Sequence, residues 1–252
     1  MHQYYDGYKD NAGDFLARSL HMDAFIKSVA SICDAVKAKK HSKKTVNLAF
    51  DEWNIWYFGK NDAPAGWKKA PHLLEDVYNF GDALLVGCML MTLQNNCDRV
   101  KIACMAQLVN VIAPIMTEDG GKAWAQTIFY PYMYASKYGR GKTLKSVVNC
   151  EKYSSGNMEV PFIETSVINN EEKRELTVFA VNRSMEDSIE LSLNLGGFEN
   201  AQMIEHIELY CDNLKEINTK DAQNVKPTVK EVSNSDEIKL NPKSWNMIRF
   251  KY

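Results

Sequence analysis

The first 140 residues alternate between short apolar runs and longer stretches of helical spacing, and this alternation restricts the fold more than any other feature. Three runs have the length and residue types of buried strands, and they cover residues 2–5, 46–50 and 99–106. Apolar residues at helical spacing follow each run, at residues 13–40, 72–96 and 121–138. Strands that alternate with helices pair in parallel through right-handed crossovers. The sequence therefore predicts an α/β fold with a parallel sheet in this part.

From about residue 142 the pattern changes to short alternating runs separated by turn residues. The runs cover residues 146–150, 160–167, 175–181, 188–193, 203–210, 237–240 and 245–250. This spacing is typical of an antiparallel β-sandwich. The polar segment 218–236 is expected to form a surface loop, as is the Gly- and Pro-containing segment 54–71. We therefore predict two domains, residues 1–140 and residues 141–252, so that the fold class is α/β plus all-β.

The composition argues against several classes of partner. A formal net charge of -2 gives no reason to expect nucleic acid or an anionic membrane as a partner, and no apolar run is long enough to span a bilayer. The six cysteines show neither a CxxC pair nor a zinc-type Cys/His spacing, so a reducing compartment is the simplest interpretation. No phosphate-binding or dinucleotide-binding fingerprint occurs. We expect a cytoplasmic protein without a metal or a cofactor.

Two carboxylates, Asp51 and Glu52, directly follow the second apolar run. Barrel enzymes place their chemistry at the carboxyl end of a strand, and aromatic side chains beside a carboxylate suggest a sugar site. Trp53 and Trp56 supply such aromatic rings. We interpret Glu52 as a candidate nucleophile that attacks an anomeric carbon, with a surface carboxylate or a helix N-cap neighbour as the alternatives. Strand alternation predicts that Asp51 points away from the site, and its alternative role is a buried salt bridge or a loop hydrogen bond.

Further candidates lie at or near strand ends. Gln107 follows the third strand and can bind a sugar hydroxyl or the nucleophile, or else satisfy loop backbone as a structural amide. The hydroxyl of Tyr4 can hold a neighbouring carboxylate ionised, or the residue can cap the sheet. Trp56 can stack on a sugar or belong to the core, whereas Trp53 is expected to pack. Glycoside hydrolysis normally uses two carboxylates, and only Glu52 is well placed.

Several segments resemble one enzyme family. Residues 47–57 (NLAFDEWNIWY) resemble the nucleophile segment of family 51 α-L-arabinofuranosidases. Residues 98–115 (DRVKIACMAQLVNVIAPI) and 123–131 (AWAQTIFYP) are similar to two further motifs of that family, and HQYY at residues 2–5 matches as well. The resemblance implies a (β/α)8 TIM barrel followed by an antiparallel β-sandwich. About three βα units are present, so the chain resembles the C-terminal part of such an enzyme.

The resemblance also implies an activity and roles for residues. The family removes terminal α-L-arabinofuranosyl groups from arabinan, arabinoxylan and their oligosaccharides with retention, so arabinose-containing oligosaccharides are the expected substrates. It implies that Glu52 is the nucleophile, that Tyr4 contacts it, that Gln107 binds the sugar hydroxyls and that Trp56 belongs to the loop lining the site. Asp51 and Asn54 match motif positions that we interpret as supporting. Full-length relatives are expected to be homo-oligomers, with hexamers the expected form.

One difference between this sequence and the family motifs argues against full arabinofuranosidase activity. The general acid/base of the family is a glutamate in a Gly-Asn-Glu motif, and the chain contains no such motif. We therefore expect an incomplete and nearly inactive enzyme. A hypothesis of another class is a non-catalytic carbohydrate-binding or scaffold fragment dominated by the sandwich, which aromatic residues on one sandwich surface would favour. A third is a barrel glycosidase of different sugar specificity.

Overall fold

A three-stranded parallel sheet forms the first part of the protein in the computed structural model, which describes residues 1–57, 69, 75–232 and 237–252. Its strands are β1 (His2–Tyr5), β2 (Leu48–Ile55) and β3 (Val100–Met105), in the order β1-β2-β3. Both pairings are parallel, which confirms the predicted α/β pattern. β2 extends further than predicted, so Glu52 lies within the strand rather than after it.

Four helices in the described part of the chain accompany this sheet: α1 (Ala12–Leu16), α2 (Arg18–Lys39), α3 (Phe80–Asn95) and α4 (Phe129–Tyr138). The single helix predicted over residues 13–40 is therefore divided, with Ala17 between α1 and α2. No helix among the described residues is long and apolar enough to cross a membrane.

Two predicted helix starts are wrong. The helix predicted from residue 72 begins at Phe80, because Asn79 and Asp82 form a reciprocal capping box that fixes the first turn. Residues 58–68 and 70–74, including most of the predicted loop 54–71, lie outside the described residues. The helix predicted from residue 121 begins at Phe129, because β5 (Ala123–Ala125) pairs instead with β4 (Ile115–Thr117) in an antiparallel hairpin.

The second part is mostly antiparallel sheet. Six strands pair in the order β13-β12-β15-β10-β9-β6. Their bounds are β6 (Lys142–Leu144), β9 (Ile163–Asn170), β10 (Glu175–Asn182), β12 (Gln202–Tyr210), β13 (Thr228–Val229) and β15 (Ser244–Lys251). Two smaller sheets join β7 (Lys152–Ser155) to β8 (Met158–Pro161) and β11 (Ile189–Ser192) to β14 (Glu237–Leu240).

Two expectations for this part are wrong. Residues 145–150 form no strand, although alternation predicted one at 146–150. The segment 218–236, of which residues 233–236 lie outside the described residues, is not only surface loop, because Val225 is buried and Thr228–Val229 pairs with β12.

The six-stranded sheet packs on both faces. Phe179 and Trp245 on one face belong to the same apolar cluster as α3. Leu176 and Ile248 on the opposite face pack with Leu240 of β14. Alternate residues of each strand therefore serve two different layers, as the period of a β-strand requires.

Helix α3 lies between the two parts. Every residue from Phe80 to Met89 is buried, and the helix contacts α2, α4, β9 and β10. A helix that is apolar on all sides is expected at the centre of a core. It thereby ties the parallel sheet, and the strand that carries Glu52, to the antiparallel part.

Candidate active site

The side chains of Tyr4 and Glu52 are in direct contact on two neighbouring strands of the parallel sheet. The pairing of β1 with β2 sets His2 opposite Glu52 and Tyr4 opposite Asn54. The Tyr4 hydroxyl donates a hydrogen bond of 2.8 Å to Glu52 Oε2. Burial, this hydrogen bond and the charge of Glu52 raise the pKa of Tyr4 to about 12. Tyr4 therefore remains a neutral donor at neutral pH and stabilises the ionised carboxylate.

A bulge in β2 brings the Asp51 side chain close to Glu52. The register of β2 against β3 shifts between Phe50 and Trp53, and a bulge of this kind redirects side chains. Asp51 Oδ1 lies 3.3 Å from His2 Nε2, and Glu52 Oε2 lies 3.4 Å from His2 Nδ1. The expectation that Asp51 points away from Glu52 is therefore wrong. Sequence reasoning assigned no role to His2, although its spacing of two from Tyr4 puts both on one strand face.

Asp51 also contacts the start of the chain. The Met1 amino group lies 3.0 Å from Asp51 Oδ1, and this hydrogen bond lowers the pKa of the Asp51 carboxyl. The Asp51 side chain is exposed, so the contact is a solvated ion pair rather than a buried one.

The two neighbouring tryptophans occupy different environments. Trp53 is 1% exposed and belongs to the core, which confirms that it packs. The Trp56 ring lies edge-on to the Tyr4 ring, with 5.4 Å between their centroids and an interplanar angle of 74°. The backbone N–H of Trp56 donates to Tyr5 O at 2.8 Å, which fixes the chain just beyond β2. Trp56 therefore lies beside the Tyr4–Glu52 pair.

Gln107 lies just beyond the end of β3 with an exposed side chain. Trp53 is opposite Met105 in the sheet, and the Ala106 N–H donates to Trp53 O at 3.1 Å. The backbone N–H of Gln107 donates to Ile112 O at 2.9 Å, which closes the turn that follows. Gln107 thus follows β3, the strand that pairs with the strand of Glu52, two residues beyond its carboxyl end.

Asn54 connects the strand of Glu52 to the loop of Gln107. Its side chain is fully buried. Its Nδ2 donates to Ala106 O at 2.8 Å and to Ile112 O at 2.7 Å, so it holds both ends of the loop 106–112. Such bonds fix the position of a loop because breaking them leaves buried carbonyls without donors. This arrangement agrees with a supporting role for Asn54.

A buried polar cluster of Tyr57, Asn79 and Asp82 fixes the chain just beyond the end of β2. The Tyr57 hydroxyl donates to Asp82 Oδ2 at 2.6 Å and accepts from Asn79 Nδ2 at 2.9 Å. Burial raises the pKa of Tyr57, so its hydroxyl remains a donor to Asp82. A Cβ on Gly7 would lie 2.1 Å from the Tyr57 ring, so only glycine fits where the loop after β1 crosses this ring. Sequence reasoning missed this cluster. The signal that could have found it is the Asn-x-x-Asp pattern of Asn79 and Asp82, which is typical of a helix N-terminus.

Within the described residues, no group of three or more His, Cys, Asp or Glu side chains could hold a metal ion. Among the aromatic residues of the antiparallel part, Phe179, Trp245 and Phe250 are buried and cannot contribute to a sugar-binding surface. The arrangement that the structure assembles is instead the Glu52 carboxylate with the Tyr4 hydroxyl and the His2 ring in contact with it, Asp51 in contact with the same histidine, and the Trp56 ring beside Tyr4.

Comparisons with known proteins identify the family of the chain. A family model described as the α-L-arabinofuranosidase C-terminal domain matches residues 51–244. The intracellular exo-α-(1→5)-L-arabinofuranosidase 1 of Bacillus subtilis is 50% identical over 100% of this chain and 51% of its own length. The intracellular exo-α-(1→5)-L-arabinofuranosidase of Acetivibrio thermocellus is 48% identical over 99% of this chain and 52% of its own. The chain thus spans about half the length of these relatives.

Solved structures give the same result. A family 51 α-L-arabinofuranosidase from Bifidobacterium longum superposes with a TM-score of 0.91 at 33% identity, over 100% of this chain and 53% of the other. An α-L-arabinofuranosidase from Thermotoga maritima, solved as an arabinose complex, has a TM-score of 0.77 at 20% identity and shows a shared fold. The resemblance of the sequence motifs to family 51 is confirmed, and the chain belongs to the family of α-L-arabinofuranosidase C-terminal domains.

Proposed function

We propose that the chain is the nucleophile-bearing half of a retaining α-L-arabinofuranosidase, with Glu52 as the nucleophile. The observation that carries this proposal is the 2.8 Å hydrogen bond from the Tyr4 hydroxyl of β1 to Glu52 Oε2 of β2. A nucleophilic carboxylate has to be ionised and held in one orientation, and a neutral tyrosine donor contributes to both.

The proposed reaction has two steps. Glu52 attacks the anomeric carbon of a terminal arabinofuranosyl group and forms a glycosyl ester as the leaving sugar departs. Because Tyr4 and His2 both contact Oε2, we assign the attack to Oε1. Water then attacks the anomeric carbon from the face that the leaving sugar occupied, the bond to Glu52 breaks, and the second carboxyl group takes the proton of the water. The two inversions give net retention. The leaving sugar needs a proton from a second carboxyl group about 5–5.5 Å from the nucleophile.

The proton donor would come from sequence that this chain does not contain, since a Gly-Asn-Glu motif is absent. Losing general acid catalysis costs about 10²–10⁴-fold in rate. We therefore propose that the 252-residue chain alone is nearly inactive.

Substrate contacts are assigned to the residues around Glu52. We propose that Gln107 binds the hydroxyls of the arabinose ring and that Trp56 lines the site beside Tyr4. Terminal arabinofuranosyl groups of arabinan and arabinoxylan oligosaccharides, α-(1→5)-linked ones above all, are the proposed substrates, as the names of the relatives at 50% and 48% identity suggest. The same names support an intracellular, cytoplasmic location.

The architecture completes the proposal. We assign residues 1–140 to about three βα units of a (β/α)8 barrel and residues 141–252 to a β-sandwich, supported by the TM-score of 0.91 to a family 51 enzyme. For the full-length protein we propose a homo-oligomer, with a hexamer as the expected form.

The test is a full-length chimera in which the first half of the Bacillus subtilis relative is fused to this chain. The chimera should hydrolyse an aryl α-L-arabinofuranoside, and NMR of the first-formed product should show retention. Glu52→Ala should abolish turnover, and added azide should restore release of the aryl group with a sugar azide of inverted configuration, as expected when the nucleophile is replaced. Glu171→Ala, at an exposed carboxylate of the antiparallel part, is the matched control. If the Glu52→Ala chimera were as active as the Glu171→Ala chimera and the unaltered chimera, Glu52 would be excluded as the nucleophile.

A further inference from the structure

The motif at residues 123–131, to which the proposed reaction gives no role, contains a buried amide. Gln126 is 1% exposed and shortly precedes α4. Its Nε2 donates to Ala113 O at 2.8 Å and to Asp76 O at 3.0 Å. Its Oε1 accepts from the backbone N–H of Tyr78 at 2.9 Å. Both donors and the acceptor of this amide therefore bind backbone groups, and a buried side chain bonded in this way fixes the segments that it joins.

On one side, Gln126 fixes the end of the loop that carries Gln107. Ala113, which accepts from the Gln126 side chain, directly follows the loop 106–112. Within this loop Val111 has a φ of 60°, a left-handed conformation that a β-branched residue seldom adopts. Such a conformation persists only where the surrounding structure enforces it. The shape of the loop therefore depends on the hydrogen bonds at its ends.

On the other side, Gln126 is connected to the strand of Glu52 through Tyr78. The Tyr78 hydroxyl donates to Ile55 O, at the end of β2, at 2.7 Å. Burial raises the pKa of Tyr78 well above its usual value, so the hydroxyl keeps the proton that it donates. A single buried amide thus joins the loop of Gln107 to the strand of Glu52.

We propose that Gln126 is a positioning residue for the candidate site, which sets the place of Gln107 relative to Glu52. Among the described residues, its side-chain hydrogen bonds go to the backbone, and none goes to Glu52, Tyr4 or Gln107. Gln126 therefore acts through the loop alone. The effect on catalysis rests on the proposed function, in which Gln107 binds the sugar hydroxyls, whereas the fixing of the loop does not.

A double-mutant cycle in the full-length chimera tests this role. Gln126→Met keeps the length of the side chain and removes its hydrogen bonds to the backbone. It should lower kcat/KM for an aryl α-L-arabinofuranoside by about 10–100-fold, because the sugar-binding amide is displaced. In a Gln107→Ala background, Gln126→Met should change kcat/KM by less than about twofold, because the group that it positions is gone. Losses that multiply would overturn the proposal.

The division of the loss between kcat and KM separates positioning from a loss of folded protein. The loss in Gln126→Met should divide between kcat and KM as it does in Gln107→Ala. A smaller folded fraction would instead lower the apparent kcat and leave KM unchanged. If Gln126→Met does not fold, Gln126→Glu is the second variant for the same cycle, because it keeps the acceptor for Tyr78 and loses at least one donor.

Gln94→Met is the matched control. Gln94 accepts from the hydroxyl of Ser166 and connects α3 to β9, so the same chemical change is made at an amide outside the loop. Its kcat/KM should stay within about twofold of the unaltered chimera. Circular dichroism verifies that each variant is folded. An equal loss in Gln94→Met and Gln126→Met would overturn the proposal.

Hydrogen exchange of the 252-residue chain tests the fixing of the loop without an activity assay. The backbone N–H of Gln107 donates to Ile112 O, and that of Asn110 donates to Ile115 O. Gln126→Met should speed exchange at these two amides by more than about tenfold and leave the amides of β10 unchanged. Unchanged exchange at Gln107 and Asn110 would show that Gln126 does not fix the loop.

The outcomes distinguish this proposal from the proposed function. Faster exchange in Gln126→Met, together with a chimera that is inactive or is unaffected by Gln107→Ala, refutes the proposed function and supports the fixing of the loop. An active chimera that Gln107→Ala impairs and Gln126→Met does not impair refutes the positioning role and leaves the proposed function intact.

Discussion

Gly87, in the middle of α3, should not tolerate a methyl group. A Cβ built on Gly87 would lie 2.4 Å from Cδ1 and 2.9 Å from Nε1 of Trp245. The indole ring is itself 1% exposed, and the rings of Tyr134 and Phe179 lie 5.7 and 6.0 Å from it. Because neighbours confine the indole, it cannot swing away, so either the helix or β15 has to shift.

Two opposing effects set the size of the change caused by Gly87→Ala. Alanine favours a helix over glycine by about 1 kcal/mol. Overpacking a well-filled core costs about 1–3 kcal/mol, and the short contact with a confined ring indicates the upper part of this range. We therefore expect a net loss of about 1–2 kcal/mol in the free energy of unfolding. For a chain of this size that corresponds to a fall in Tm of about 2–8 °C.

Thermal unfolding followed by circular dichroism measures this change. Gly196→Ala is the matched control, because the nearest atom to its Cβ would be Asn194 Oδ1 at 3.7 Å. Trp245→Leu should make room for the methyl group, so Gly87→Ala should cost less in the Trp245→Leu background than in the wild type. A rise in Tm for Gly87→Ala alone would show that helix propensity dominates and that α3 does not approach Trp245 closely.

Three further predictions concern charged and titrating groups. Arg183→Ala removes a buried guanidinium bonded to Glu164 Oε2 at 2.5 Å and should lower the free energy of unfolding by about 3 kcal/mol, measured in urea. Burial lowers the pKa of His206, so the unfolded chain binds more protons below about pH 6.5; stability should fall from pH 7 toward pH 5, and His206→Asn should flatten that dependence. Tyr4→Phe in the full-length chimera removes a charge-assisted hydrogen bond to Glu52 and should lower kcat/KM by about 10–100-fold in steady-state assays, whereas an unchanged value would remove Tyr4 from the site.

Sequence periodicity predicted the elements whose packing depends on one repeated pattern. The three parallel strands, the helix with Met22 and Ile26 buried, and the strands around Phe179 and Trp245 all have apolar side chains at regular spacing. The spacing of apolar residues can be recognised from the sequence, because it depends only on which side of the element is buried.

The errors arose where local hydrogen bonding overrides periodicity. Asn79 and Asp82 start α3 later than the apolar pattern does, because their side chains satisfy the first N–H groups of the helix. The bulge between Phe50 and Trp53 places Asp51 and Glu52 against the same histidine, which strict alternation forbids. The pairing of Tyr4 with Glu52 depends on register between strands 48 residues apart. Sequence reasoning gave it as one of two alternatives for Tyr4, and the family resemblance implied it.

Helix α3 makes the folding of the two parts of the chain interdependent, although the sequence pattern changes near residue 140. One apolar cluster contains Phe50 of the parallel sheet, Leu84 of α3 and Trp245 of the antiparallel sheet. Neither half of the sequence can lose its structure without exposing the helix that the other half also covers. Elements that share a core in this way are expected to melt in a single cooperative transition, so damage in the antiparallel part would be transmitted to the strand that carries Glu52.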